Sequence, residues 1–450
     1  MLVAEKTSAA LSWPLVSFDK VAIAQSDRGQ RLKQRDYLAE GSIPVIDQGQ
    51  ALVGGYTDDE NASFVGDLPV VLFGDHTRAV KLIHHRFAVG ADGIKIFRPA
   101  EGVRAKYLYY WMKSARIPDR GYGRHYQYLR ALSVPLPPEE HQDEIIAEIE
   151  KQFSRLDEAV ANLQRVKANL KRYKASVLRD AVEGRLVPTE AELARREGRS
   201  FETGEQLLQR ILETRKREWA SRGKYEEPPA AETGGLTNLP NGWVWASAEQ
   251  LSTFITKGTT PAAEKLLDAG IGDVQFLKMY NLTFDGTLNH AYKPAFVSRS
   301  THEGELLRSQ VLAGDVLINI VGPPLGQVSV VPPTMDQANM NQAIARFRPI
   351  KPLSTKFVAH ALMTESIMAW AIRKAKTTAG QTNLTLDLCR RLPIPLPPLA
   401  EQERIVAEVD RRLSLILGVQ AEVDANLKRA QALRQAMLAK AFSASLKGIE

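Results

Sequence analysis

The sequence predicts an α+β protein built from two related globular modules, each followed by a long helix of a coiled coil. Two observations predict this fold: an internal repeat, and a seven-residue periodicity after each copy of it. The motif Val134-Pro135-Leu136-Pro137-Pro138 recurs as Ile394-Pro395-Leu396-Pro397-Pro398, at an offset of 260 residues. Because internal self-similarity is the signature of a duplicated structural unit, this repeat determines the architecture that we expect.

Shorter landmarks recur in the same order upstream of each proline motif. Trp13 corresponds to Trp243, and Phe97-Arg98-Pro99 corresponds to Phe347-Arg348-Pro349, at offsets of 230 and 250 residues. Helices are predicted at related positions, residues 105–116 and 356–376. The growing offset indicates insertions in surface loops of the second copy. We therefore assign module 1 to residues 1–137 and module 2 to residues 239–397.

The segments that follow the proline motifs have the heptad pattern of coiled-coil helices. Their apolar residues recur at positions that predict a continuous seam against a partner helix. Pro138 and Pro398 mark the two helix starts, because proline is tolerated near a helix beginning. We predict helices over residues 138–187 and 398–450, with these core residues: Ile149, Leu156, Leu163 and Leu170 in the first, and Val409, Leu413, Ile416 and Val423 in the second.

A charged stretch separates the first coil helix from module 2. Within residues 188–238, apolar side chains at helical spacing predict one additional helix over residues 205–220. The proline- and glycine-containing segment 226–235 is typical of a flexible connector. We therefore interpret residues 188–238 as a linker between the modules.

Composition limits the classes of protein to which the chain can belong. A net charge of +7 and a pI near 9.2 favour an anionic partner. The sequence lacks the run of about eighteen apolar residues that a membrane span needs, and it begins without the apolar region of a signal peptide, so we expect a cytoplasmic protein with no membrane contact. Cys389 is the single cysteine, which excludes an internal disulfide and a cysteine zinc cluster.

Sequence motifs for catalysis are missing. The chain has no G-x-x-x-x-G-K-[ST] loop for a nucleoside triphosphate. Its paired prolines, Pro323-Pro324 and Pro332-Pro333, lack the Asn or Asp and the aromatic residue with which amino-methyltransferases hold a target amine. Adjacent His84 and His85 do not have the spacing of two helical metal ligands. The sequence therefore predicts binding without catalysis, with no metal and no cofactor in this chain.

The order and duplication of these motifs resemble the specificity subunit of type I restriction-modification systems, over nearly the whole chain. Further family-like segments are Gly242-Trp243, Gly314-Asp315-Val316-Leu317-Ile318, Asn341-Gln342-Ala343-Ile344-Ala345 and Gly380-Gln381-Thr382-Asn383-Leu384. The resemblance implies that each module is a target recognition domain for one half of an asymmetric bipartite site in double-stranded DNA. It also implies that the helices pair antiparallel, set the spacing and dock two methyltransferase subunits.

In that family the methyltransferase subunits bind S-adenosylmethionine and methylate adenine, restriction subunits with translocase activity complete the enzyme, and the specificity subunit itself is not catalytic. Module 1 departs from the family pattern, because Ala91-Asp92 stands where module 2 has Asn341-Gln342. This difference leaves the DNA-facing residues of module 1 open, and a different half-site is the natural interpretation.

The chemistry of base recognition limits which residues are candidates for DNA contact, because Arg pairs with guanine and Asn or Gln with adenine in the major groove. Basic residues interspersed with aromatic and amide side chains are typical of combined phosphate and base contact. In module 1 we predict DNA contacts by Arg120, Arg124, His125 and Gln127, with Arg78, Lys81 and Arg86 on phosphates. In module 2 we predict contacts by Lys257, Lys278, Tyr280, Asn281, Asn319 and Gln381.

Three further classes of protein are compatible with the sequence. A coiled-coil scaffold carrying two duplicated ligand- or protein-binding modules would have the same heptads, since heptads alone predict only helix pairing. The second class is an autonomous DNA enzyme, and the third is the specificity subunit of a two-component modification enzyme outside type I. The scaffold predicts no salt-dependent DNA binding, whereas a DNA-reading subunit predicts a steep loss of affinity with salt.

Overall fold

The computed structural model describes residues 13–91, 93–121, 123–219, 224–378 and 381–443, without the side chains of residues 376–378, Gln381 and Ser443. These residues form two compact units. Unit 1 contains the described residues up to Val166 together with those from Glu422 onwards, and unit 2 spans Lys167–Ala421. Each unit therefore combines one module with segments of both long helices.

Module 1 consists of short strands and helices that lead into the first long helix. The strands are β1 (Leu15–Ser17), β2 (Ala22–Gln25), β3 (Ile43–Ile46), β4 (Gly55–Thr57), β5 (Val70–Gly74), β6 (Val80–Ile83), β7 (Ala88–Val89), β8 (Ile94–Pro99) and β9 (Ser133–Pro135). The helices are α1 (Phe18–Val21), α2 (Ala105–Ser114), α3 (Tyr126–Arg130) and the long α4 (Glu139–Val182).

Module 2 contains more elements and is preceded by two helices, α5 (Glu190–Glu197) and α6 (Gly204–Trp219). Its strands are β10 (Val244–Ser247), β11 (Ser252–Lys257), β12 (Val274–Leu277), β13 (Phe296–Val297), β14 (Gln310–Leu312), β15 (Val316–Asn319), β16 (Val328–Val330), β17 (Gln337–Met340), β18 (Ile344–Pro349), β19 (Lys376–Thr378), β20 (Gln381–Asn383) and β21 (Pro393–Leu396). Its helices are α7 (Arg299–Glu303), α8 (Thr355–Leu362), α9 (Glu365–Lys374) and α10 (Leu386–Arg390), followed by the long α11 (Leu399–Ser443).

The two modules share the same arrangement of three sheets, to which module 2 adds further strands. Module 1 has a four-stranded sheet of order β2-β8-β5-β6, and module 2 has β11-β18-β15-β16, with antiparallel neighbours throughout. A second sheet, β4-β3-β7, corresponds to β13-β12-β17, with the last pair parallel in both, and β14 extends it in module 2. Each proline motif forms the closing strand of a ribbon, β1-β9 or β10-β21. The duplicated modules predicted by the sequence are confirmed.

The two long helices run antiparallel. In unit 1 the beginning of α4 packs with the end of α11, since Ile149 and Phe153 share an apolar cluster with Leu438 and Phe442. In unit 2 the end of α4 packs with the beginning of α11 in one cluster, formed by Val177, Leu178, Ala181, Ile405, Val409, Leu413 and Ile416. The predicted α+β fold class with an antiparallel helix pair is therefore confirmed.

Most of the predicted seam residues are buried. Relative exposure is 3% for Ile149, 9% for Leu156, 0% for Val409 and 5% for Val423. Leu413 and Ile416 are also buried, whereas Leu163 and Leu170 are half-buried. Leu163 and Leu170 of α4 are therefore the least buried of the predicted seam residues.

A pair of interactions repeats where each module meets its long helix. Gln142 Nε2 donates to Pro137 O at 2.9 Å, and its Oε1 accepts from Arg104 N at 2.8 Å, ahead of α2. Gln402 makes the equivalent bonds to Pro397 O and Ser354 N, at 3.0 and 3.1 Å. One glutamine side chain thus ties each proline motif to the start of the following long helix and to a module helix.

Ion pairs add a second repeated tie. Lys106 of α2 pairs with Glu150 of α4 at 2.7 Å, and Lys356 of α8 pairs with Asp410 of α11 at 2.6 Å. These exposed pairs contribute little stability individually, but together with the glutamines they fix how each module meets its own helix segment.

Two sequence predictions need correction. The segment predicted as one helix over residues 356–376 is two helices, α8 and α9, because the chain leaves the helical conformation at Thr364 (ψ 141°). The predicted linker contains two helices instead of one, and it belongs to unit 2. Leu207 and Ile211 of α6 lie at 0% and 1% exposure in the core of module 2, so the apolar stripe of α6 is part of that core.

One residue of the predicted flexible connector forms ion pairs with module 2. Glu232 pairs with Arg391 at 3.4 Å and also contacts Lys374.

Within the described ranges no helix has the length and apolarity needed to cross a bilayer. Across the same residues no three His, Cys, Asp or Glu side chains lie close enough together to hold a metal ion.

Candidate nucleic-acid interface

The loops at one end of the module 1 sheets converge. We name residues 47–50, 75–79, 90–93 and 119–125 the loop cluster of module 1, in their described positions. Asp75 N donates to Gly93 O at 2.6 Å, and His76 N donates to Gln48 Oε1 at 3.2 Å. Gly93 has φ +94°, a backbone conformation that favours glycine, and it lies close to the Gln48 side chain. Four separate chain segments thus form one surface.

A buried clamp fixes the last segment of this cluster. Asp75 Oδ1 accepts hydrogen bonds from His125 N at 2.9 Å and Tyr126 N at 2.7 Å. His125 Nδ1 lies 2.9 Å from Asp75 O, and His125 Nε2 accepts from Arg120 N at 3.3 Å. The imidazole is fully buried. The sequence-predicted DNA contact by His125 is therefore wrong for this conformation, because both ring nitrogens and the ring faces are enclosed by the protein.

The three predicted phosphate-binding cations of module 1 have internal partners. Arg78 pairs with Asp119 at 2.7 Å, and Arg86 pairs with Glu60 at 2.9 Å. Lys81 is 5% exposed, and its ammonium donates to Asp47 O at 2.7 Å. Burial lowers the pKa of Lys81, against the opposing effect of Asp47. Lys81 therefore cannot reach a phosphate in this conformation, whereas Arg78 and Arg86 are exposed.

Arg120, Arg124 and Gln127, the other remaining candidates of module 1, are also exposed. Arg120 and Arg124 lie on either side of the turn that precedes the clamp. Gln127 lies on α3, where its Nε2 donates to Arg124 O at 3.4 Å. The structure thus brings Arg78, Arg120 and Arg124 together in one cluster and leaves Arg86 outside it, beside Glu60 and Ser63.

Module 2 has an equivalent loop cluster, formed by residues 257–260, 278–281, 319–327, 341–342 and 382–384. Asn341 N donates to Leu277 O at 2.9 Å, and Leu384 N donates to Ile320 O at 2.9 Å. The second bond corresponds to the bond from His125 N to Asp75 O, at 2.8 Å in module 1. The same strand ends therefore converge in both modules.

Two of the predicted contacts in module 2 are internal instead. Asn319 is fully buried, with Oδ1 accepting from Gln327 N at 2.9 Å and Nδ2 donating to Pro324 O at 2.5 Å. Asn281 is 2% exposed, and its Nδ2 donates to Tyr292 O at 2.8 Å. These amides shape the loops around them, so the predicted contacts of Asn281 and Asn319 with bases are wrong for this conformation.

The remaining candidates of module 2 are more accessible. Lys257 is exposed at the end of β11, and Lys278 is half-buried next to β12. Tyr280 is 36% exposed, and its hydroxyl donates to Lys293 O at 3.1 Å. Gln381 begins β20, and its side chain lies outside the described residues, as does Gly380.

Asn341, Gln342 and Thr260 were not among the predicted contacts, although they line this cluster. The Asn341 Oδ1 atom is enclosed and has no hydrogen-bond partner among the described residues. Gln342 is exposed, and its Oε1 contacts Thr260 Oγ1. A Cβ on Gly258 would clash with the carbonyl oxygens of Met340 and Asn341, so glycine allows this approach. The sequence signal that could have identified these residues was the polar pair Asn341-Gln342 directly after the strand β17.

The polar groups of both loop clusters are suited to recognising a nucleic acid. Guanidinium, ammonium and amide groups line both clusters, and they can donate hydrogen bonds to phosphates and base edges. Cys389 is buried, and burial raises the pKa of its thiol to about 12, which disfavours the reactive thiolate.

Comparison with known proteins shows which proteins this chain resembles. Residues 303–418 match the type I restriction modification DNA specificity domain. The EcoDI type I specificity subunit of Escherichia coli is 23% identical over 367 residues, which cover 76% of this chain and 70% of that protein. The EcoBI specificity subunit of the same organism is 30% identical over 140 residues, 31% of this chain and 29% of that protein. The match thus spans less than a third of the EcoBI subunit.

The fold agrees with these matches. A chain from a structure on complex assembly and conformational transition of the type I R-M system aligns with a TM-score of 0.56 and 17% identity, over 96% of this chain and 97% of that chain. At this identity the likeness concerns the fold. The chain is therefore similar to type I restriction-modification specificity subunits, through the domain match over residues 303–418 and the longer similarity to the EcoDI subunit.

Proposed function

We propose that this chain is the DNA-reading subunit of a type I restriction-modification complex, and that each module reads one half of an asymmetric bipartite DNA site. The observation that carries the proposal is the repeated loop cluster, built on equivalent strands in both modules but lined with different side chains. Equivalent positions give two similar reading surfaces, and different side chains give two different half-sites.

The long helices support a role as a spacer and docking element. At about 1.5 Å per residue, the 44 residues of α4 extend about 66 Å, which is close to two turns of duplex DNA. We propose that the antiparallel pair sets the spacing between the half-sites and binds two methyltransferase subunits. Those partners would bind S-adenosylmethionine and methylate adenine, and restriction subunits with translocase activity would complete the complex, while this chain performs no catalysis.

A salt titration of DNA binding tests the proposal. Each phosphate contact releases condensed counterions, so log Kd should rise linearly with log salt, with a slope of about 0.9 per contact. We expect Lys257→Ala and Lys278→Ala each to reduce the slope by about one. Arg411→Ala is the matched control, because Arg411 lies on α11 with a side chain 59% exposed and paired with Glu408.

Filter binding or fluorescence anisotropy with duplex DNA, on the chain assembled with its methyltransferase, would measure these slopes. A salt-independent affinity, or no binding to duplex DNA, would contradict the proposal and favour a coiled-coil scaffold with two protein- or ligand-binding modules.

A further inference from the structure

Arg120 and Arg124 differ from the other cations of the module 1 cluster. Both are exposed, and within the described part of the chain neither side chain has an ion pair or a hydrogen bond. By contrast, Arg78 of the cluster pairs with Asp119, and Lys81, just beyond the cluster, donates to Asp47 O. The two free guanidinium groups can therefore donate hydrogen bonds to a ligand without first breaking an ion pair.

Their backbone is held firmly although their side chains are free. Asp75 anchors the residues after Arg124 through two backbone hydrogen bonds, and the buried His125 ring accepts from Arg120 N. On the outer side of the turn, Gly121 N donates to Asp119 Oδ1 at 2.9 Å. Such an anchored turn reduces the conformational entropy that is lost when the two arginines bind a target.

The comparison between modules indicates what the arginines bind. Phosphates are identical along any DNA, so groups that bind phosphates should be similar in both modules. Counting back along the sequence from Leu384, which corresponds to His125, module 2 has Asn383 at the position of Arg124 and Ala379 at the position of Arg120. Side chains that differ between two otherwise equivalent surfaces fit the reading of bases, which differ between half-sites.

We propose that Arg120 and Arg124 read guanine in the half-site of module 1, and that Asp75 and His125 act as positioning residues for them. This inference rests on the proposed function. A guanidinium donates two parallel hydrogen bonds to O6 and N7 of guanine, a pattern that no other base presents in the major groove. Asp75 and His125 stay buried and act through the backbone of the turn.

The test is selection of binding sites from randomised duplex DNA, using the full chain assembled with its methyltransferase. The unmodified protein should require guanine, on either strand, in one half-site. Arg120→Ala and Arg124→Ala should each reduce discrimination at a guanine of that half-site by about 5- to 150-fold and leave the other half-site unchanged. Arg130→Ala is the control, because Arg130 is 60% exposed on neighbouring α3 but paired with Asp19.

The positioning role has its own readout. Asp75→Ala removes the acceptor of both backbone bonds and should relax the same guanine preference, whereas Asp75→Asn retains an Oδ1 acceptor and should restore it. Thermal unfolding of both variants separates this effect from general loss of folding, since restored stability without restored preference would refute the positioning role.

Each contrary outcome overturns a defined part of the inference. A uniform loss of affinity with an unchanged selected sequence would show that the arginines bind phosphates. A half-site that contains no guanine on either strand would also refute the inference, while the proposed function would stand. Selection of no sequence by the unmodified assembly would refute both.

Discussion

Val409→Asp should destabilise unit 2 by at least about 3 kcal/mol and abolish assembly with the methyltransferase. Val409 is fully buried in the helix seam, in one cluster with Val177, Leu178 and Ile405. The substitution removes apolar contacts and places a carboxylate where the surrounding residues are apolar, and each change carries a cost of several kcal/mol. Denaturant unfolding followed by circular dichroism measures the loss, and size-exclusion chromatography measures assembly.

Leu415→Asp is the matched control for this prediction. Leu415 lies on the same helix, six residues further along, but is 60% exposed, so its carboxylate would remain in water. We expect its free energy of unfolding to change by less than about 0.5 kcal/mol. Equal destabilisation by both variants would mean that the seam in unit 2 is not formed by the face that contains Val409.

Removing one heptad from each long helix should shorten the DNA spacer while preserving the half-sites. Deleting residues 163–169 together with residues 422–428 keeps the heptad register and shortens each helix by about 10 Å. This length corresponds to about three base pairs at roughly 3.4 Å each. Mapping of methylated adenines should show the original half-sites with a gap about three base pairs shorter.

The deletion can also abolish binding for a geometric reason. Three base pairs rotate one half-site around the duplex by roughly 100°, which the shortened protein must accommodate. A single deletion of residues 163–169 is the control, because it mismatches the two helices and should impair folding. Normal methylation at the original spacing by the doubly shortened protein would show that the helices do not set the distance.

Patterns local in sequence predicted the fold well. The proline motif fixes the ribbon and the helix start through its own backbone restrictions, so Pro138 and Pro398 marked the long helices to within a residue of Glu139 and Leu399. Heptads report which face of a helix is buried, and both the heptads and the proline motif depend on neighbouring residues along the chain. The antiparallel direction of the helices followed instead from the family resemblance.

The site residues were harder to predict because burial depends on distant partners. His125 and Asn319 have side chains that could read bases, but both are buried and held by hydrogen-bond partners. Asp75, which binds His125, is distant in sequence, and Gln327, which binds Asn319, lies at the other end of a loop. The helix α6 was recognised from its apolar spacing, but its docking on module 2 depends on the shape of that core. The duplication could have helped to find the site residues, because polar residues that follow equivalent strands in the two modules lie in the same loop cluster.

A module replacement tests whether each module reads its own half-site. Residues 242–392 would be replaced by the equivalent module of a relative, and methylated adenines would be mapped in cells that carry either chain together with the methyltransferase. If each module reads one half-site, one half of the methylated sequence should change while the other half and the spacing persist. A change in both halves, or in neither, would contradict the assignment of one module to each half-site.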